Sequence, residues 1–86
     1  MDIESLKKEL KRLQVPESWY SINGSLQHDT YFLIQNYHRW EYFYFDERGG
    51  RNEYKVFTDE GEACEHFLRT MKQELAYWRK DVRGLM

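Results

Sequence analysis

The chain has 86 residues, of which 33% are charged, and carries a formal net charge of −2. That length excludes a second domain and allows one with a modest buried fraction, while the nearly balanced charge supplies no field that would gather nucleic acid or an anionic membrane. Cys64 is the only cysteine, which excludes an internal disulfide and fits a reduced, cytoplasmic setting.

The first residues, Met1-Asp2-Ile3-Glu4-Ser5-Leu6, have no basic segment leading into a long apolar one, so neither a signal peptide nor a membrane span is expected there. Ile3, Leu6, Leu10 and Leu13 fall at helical spacing and predict one amphipathic helix over residues 3–14. Asp2 or Ser5 caps its start. Pro16 stops it and pushes Val15 into extended backbone. Beyond Glu17 the composition turns aromatic and β-branched, with strands expected at 19–23, 30–36, 39–46 and 51–57. Tyr37-His38 is read as the first tight turn and Gly49-Gly50 as the second, since paired glycines accept the positive φ of two-residue hairpin loops. A long helix then covers 59–82, begun by Thr58 or Asp59, with Glu62 placed as in a capping box. Its apolar side carries Cys64, Phe67, Leu68, Met71, Leu75, Trp78 and Val82; Arg79, Lys80 and Arg83 gather near its end, and Gly84 is the expected stop. The expected fold is α+β and two-layered: an N-terminal helix, an antiparallel sheet of three or four strands, and a long C-terminal helix.

Ten of the fifteen aromatic residues lie between Tyr31 and Phe57, more apolar surface than one thin sheet hides alone. The two turns set registers that divide them. One face carries Phe32, Ile34, Phe43, Phe45, Tyr54 and Val56; the other carries Tyr31, Leu33, Trp40, Tyr42, Tyr44 and Phe57. With both helices on one side, the Phe/Ile/Val face is the expected core because it has few polar atoms. That leaves the Tyr/Trp face for a partner, since such rings bury area while keeping a polar tip to pair. The alternative is that a helix covers the Tyr/Trp face and the other is exposed or self-associated.

No catalytic constellation emerges. His28, His38 and His66 sit in three different elements without metal-ligand spacing, and Cys64 lies on the core side of its helix. There is no phosphate-binding glycine loop, paired CxxC or HExxH, and Gly49-Gly50 joins two strands, away from any helix start. The aromatic strands are flanked by Asp46, Glu47 and Glu53, where RNA-stacking sheets carry basic residues. No enzyme activity, cofactor, metal or nucleic acid is expected. The tip Asp46-Glu47-Arg48-Gly49-Gly50-Arg51 is read either as a solvated turn or as a charged rim that orients a partner.

The segments Trp19-Tyr20-Ser21-Ile22-Asn23-Gly24, Trp40-Glu41-Tyr42-Phe43-Tyr44, Glu47-Arg48-Gly49 and Phe57-Thr58-Asp59-Glu60-Gly61-Glu62-Ala63-Cys64 occur in that order. Together they resemble the small immunity-type proteins of bacterial polymorphic toxin systems, over residues 16–72. Tyr20, Gly24, Trp40, Glu47, Arg48 and Gly49 are the matching positions. The resemblance implies a non-enzymatic cytoplasmic protein that binds and neutralises a cognate toxin domain, often a nuclease. The partner-binding residues expected are Tyr31, Trp40, Tyr42, Tyr44, Glu47, Arg48 and Arg51. A competing expectation is a structural or regulatory homodimer in which two aromatic faces pack on each other.

Overall fold

The computed structural model describes residues 1–84, with side chains described through Trp78. The elements are helix α1 (Ile3–Arg12), a short 3-10 turn (Glu17–Trp19), strands β1 (Tyr20–Ile22), β2 (Thr30–Asn36), β3 (Arg39–Phe45) and β4 (Arg51–Phe57), and helix α2 (Glu60–Gly84). The fold is α+β: both helices pack on one side of a four-stranded sheet ordered β1-β2-β3-β4. The expected roles of Val82, Arg79, Lys80 and Arg83 lie outside the described side chains; Gly84, the expected stop, is the last described residue and still belongs to α2.

Local chemistry accounts for the helix ends. Of the two candidate caps for α1 it is Asp2 that acts, its carboxylate accepting from Ser5 N–H at 2.8 Å. At the other end Gln14 takes φ 60°, its N–H donates to the Lys11 carbonyl, and Val15 N–H donates back to the Leu10 carbonyl at 3.1 Å. This pair of bonds is a Schellman closure, and it ends the helix ahead of Pro16. At α2 the cap is Asp59, which accepts from Gly61 N–H at 2.9 Å. Glu60 in the first turn of α2 also accepts from Ile3 N–H at 2.9 Å, tying the starts of the two helices together.

The sheet is mixed where an antiparallel one was expected, because β1 pairs parallel to β2, with Tyr20 beside Tyr31 and Ile22 beside Leu33. A parallel neighbour ordinarily requires a long crossover. Here residues 23–29 suffice, since both ends of the return take a left-handed bend: Asn23 at φ 55° and Asp29 at φ 59°. Asn and Asp tolerate that region better than most side chains. Asn23 also clips the end of β1 to β2, its backbone N–H donating to the Leu33 carbonyl at 2.9 Å and its side-chain Oδ1 accepting from Gln35 N–H at 2.7 Å.

The β2–β3 hairpin follows the expected register, Phe32 opposite Phe43 and Leu33 opposite Tyr42. The β3–β4 hairpin does not. Its loop is one residue longer than the glycine pair suggests: Asp46 and Gly50 face each other, Gly49 sits at φ 80°, and Phe45 pairs with Arg51. Continued unchanged, that register would turn Val56 and Tyr54 to the wrong face, because a one-residue slip inverts every side chain. A β-bulge between Tyr42 and Tyr44 on β3 and the facing stretch of β4 restores the alternation, with Glu53 absorbing the extra residue at φ 56°. Trp40 then pairs with Phe57 and Glu41 with Val56.

The helices cover the Tyr/Trp face. Leu33, Trp40 and Tyr42 form one buried cluster with Leu6, Leu10 and Val15 from the α1 side and Ala63, Cys64, Phe67, Leu68, Met71 and Leu75 of α2. The expectation that helices lie on the Phe/Ile/Val face is therefore overturned, and the reason is charge. The same register that gathers Phe43 and Phe45 places Glu41 and Arg51 among them, and burying an ion beneath a helix costs far more than burying a phenol. The inner positions of β3, Trp40, Tyr42 and Tyr44, carry no formal charge.

Candidate functional site

The outer sheet face has no helix over it, yet Phe32 and Phe43 are only 0% and 2% exposed. The rings shield one another. Phe32 stacks on Phe43 with centroids 5.4 Å apart, and Phe45 meets the two edge-on at 6.2 and 6.4 Å. Tyr54 stacks on Phe43 at 6.2 Å, His28 lies flat against Phe45 at 5.3 Å, and the Arg51 guanidinium sits 4.9 Å above the Phe43 ring. What remains open to solvent is the β4 side of this tiling, where Tyr54 is 46% and Val56 44% exposed. Glu41 marks its middle, accepting from the Tyr54 hydroxyl and from Asn36 Nδ2; the first of these holds its carboxyl below the usual range. The face is an aromatic plate with one anchored carboxylate and one anchored guanidinium.

The hairpin tip borders this plate. Asp46 organises it, accepting from Arg48 N–H at 2.9 Å, Gly50 N–H at 2.7 Å and Asn52 Nδ2 at 2.8 Å, bonds that hold its carboxyl low. Glu47 and Arg48 are exposed at the apex and Arg51 returns over Phe43, so these three candidate partner-binding residues share one surface with the outer face.

The other four candidates separate. Trp40 and Tyr42 are core residues, 5% and 1% exposed, and offer no contact surface to a partner. Tyr31 and Tyr44 pair across strands with centroids 4.7 Å apart at the end of the inner face, where α2 passes over them. There they line a cavity of about 240 Å³ with Trp19, Asp29, Glu74 and Trp78. Glu74 and Trp78 stand four apart on α2 and so share a helix face. Tyr44 donates to Asp29 Oδ1 at 3.3 Å. Burial first, and then the neighbouring Glu74 carboxylate, pushes the Tyr31 phenol well above its ordinary value; Tyr44 is raised by burial and by Asp29. Sequence reasoning missed Asp29, Glu74 and Trp19 here, and assigned Trp78 to the core although it is 57% exposed. The available signal was Glu74 and Trp78 at the flank of the α2 stripe.

Cys64 is fully buried and burial pushes its thiol up to about 11, a protonated packing group. His66 packs against Tyr42 at 4.7 Å and Phe57 at 5.3 Å, and its Nε2 and the Tyr42 hydroxyl are buried without hydrogen-bond partners. Among the described residues no three His, Cys, Asp or Glu side chains group as metal ligands, and no helix is long and apolar enough to cross a membrane. No known protein family, curated protein or solved structure matches the chain.

Proposed function

We propose that this chain is a non-catalytic protein-binding module, an immunity-type inhibitor that binds and neutralises a cognate toxin domain in the cytoplasm through its outer sheet face. The observation that carries this reading is that face: a rigid aromatic plate left uncovered by both helices, with Tyr54 and Val56 open and Glu47, Arg48 and Arg51 along one border. Aromatic anchors held in place by their neighbours, ringed by charge, have the composition of binding hot spots. The likeness to immunity-type proteins supports the toxin as the partner, since its Glu47-Arg48-Gly49 turn stands beside the plate. The specific alternative is a homodimer joined through the same plate, favoured by Tyr54 and Val56 lying side by side with Phe43 in one apolar patch.

Tyr54→Ser combined with Val56→Ser tests both readings. Co-expression with the product of the neighbouring gene should give co-purification and relief of toxicity, both lost in the double variant while the fold persists. A concentration-dependent dimer by light scattering, dissolved by the same variant, would move the assignment to self-association. A stable monomer whose neighbours neither bind it nor harm cells removes the inhibitor reading.

A further inference from the structure

The cavity between the end of the sheet and α2 has a chemistry of its own. Four of its six lining residues are aromatic, Trp19, Tyr31, Tyr44 and Trp78, and the other two are the carboxylates Asp29 and Glu74. Among the described residues no lysine or arginine lines it and neither carboxylate takes part in a salt bridge. Ring faces attract cations through their quadrupoles, most strongly where water is partly excluded. Carboxylates at the wall add charge attraction and hydrogen-bond acceptors. A neutral apolar ligand would leave the charge of both carboxylates uncompensated by any cation, and an anion would be repelled.

From this we infer that the cavity is a binding site for an organic cation of the alkylammonium or guanidinium type, with Tyr31, Tyr44, Trp19 and Trp78 as the aromatic walls and Asp29 and Glu74 as the counter-charges. The site lies on the helix-covered side of the sheet and does not depend on how the outer face is used. Asp29 is held in place by its backbone, whose N–H donates to the Phe45 carbonyl at 2.7 Å, and by the Tyr44 hydroxyl. Tyr31 is held by its strand pairing on both sides, to Tyr20 and to Tyr44. Two of the aromatic walls, Tyr31 and Tyr44, are thus preorganised on sheet positions, while Glu74 and Trp78 close the cavity from α2.

The three tryptophans make the site directly observable, because Trp19 and Trp78 line it while Trp40 is buried in the core and serves as an internal reference. Indole N–H resonances of the full chain are followed during titration with choline, and separately with Nα-acetylarginine amide. Their neutral counterparts are 3,3-dimethylbutanol and Nα-acetylcitrulline amide. The expected result is a saturable shift at Trp19 and Trp78, with Trp40 unmoved, for at least one cation. That cation should bind about tenfold more tightly than its neutral counterpart. Saturation by choline identifies a small-molecule or headgroup cation as the source, and saturation by the arginine derivative a basic side chain. Glu74→Gln, which keeps the shape of the wall, should weaken binding about tenfold. Trp78→Leu, at a position already half exposed, should weaken it too without disturbing the Trp40 signal. Failure of both cations to saturate, equal binding of a cation and its neutral counterpart, or unchanged affinity in Glu74→Gln overturns the assignment.

Discussion

Tyr42 carries the sharpest consequence of the sheet being covered on its Tyr/Trp side. Its ring is 1% exposed, lies edge-on to His66 and Phe67 at 4.7 and 6.0 Å, and burial raises its phenol to about 12 against a smaller downward pull from Thr70. Truncation to alanine removes a fully packed ring and should cost about 3–5 kcal/mol. For a chain this size, with a total stability of about 4–13 kcal/mol, that is a large share. Tyr42→Phe is the informative partner. It keeps the ring and deletes a hydroxyl that has no hydrogen-bond partner, so it should be neutral or stabilise by about 1 kcal/mol. Urea unfolding followed by circular dichroism reads both, as a shift in midpoint at constant slope. If Tyr42→Phe loses more than about 1 kcal/mol, the hydroxyl is bonded after all, with Thr70 as the neighbour to suspect. If Tyr42→Ala leaves the midpoint unchanged, the ring is not core and the helices do not cover the Tyr/Trp face.

Two further predictions concern backbone and titration. Glu53→Gly should stabilise the protein by about 1 kcal/mol, because a side chain at φ 56° is strained where glycine is not, whereas Gly49→Ala should cost a similar amount. An added Cβ at Gly49 would meet only Phe45 Cζ at 3.8 Å, so that loss is conformational and both changes are measurable by the same unfolding curves. The third prediction follows from His66, whose pKa is depressed by burial first and then by Lys55 and Arg69. Below the unfolded value of about 6.5 the unfolded chain takes up a proton that the folded one resists. Stability should therefore fall as pH drops from neutrality through that value and level off below the folded pKa. Thermal melts between pH 7.5 and 5 should show this slope, and His66→Leu should flatten it; an unchanged slope in the variant would assign the effect to another group.

The elements were legible because each rests on local patterning, although α1, expected over 3–14, closes at Arg12. The spacing of Leu6 and Leu10 marks α1, and aromatic and β-branched stretches bounded by turn formers mark β2 and β4, whose limits are as expected. Three features were not. Nothing local distinguishes Gln14 as the residue that closes α1 in the left-handed region, because glutamine has no preference for it. The parallel pairing of β1 depends on two left-handed bends at Asn23 and Asp29 acting together, and a single turn signal at Asn23-Gly24 reads equally well as an ordinary hairpin. The choice of sheet face turned on weighing polar tips of aromatic rings against whole charges. Glu41 stood between Trp40 and Tyr42 in the sequence, and its position alone argued that the Phe43 side must stay wet. Of the candidate site, the charged hairpin tip was readable, but the place of Arg51 over Phe43 was not, because the expected two-residue glycine loop set a different register. The cavity was not readable either, since it joins Asp29 to Glu74 across elements that only the packing of α2 brings together.

Glu53 has a further consequence for the protein in concentrated solution. Both borders of the sheet are strands with one side unpaired, β1 and β4, and such borders recruit further chains into endless sheets. β1 offers only three residues. β4 is longer, but its left-handed kink at Glu53 breaks the straight run of amide and carbonyl groups a visiting strand would need. The molecule can thus leave its outer sheet face free of helices while its margins resist fibre growth, since neither border offers a long straight row of free backbone groups.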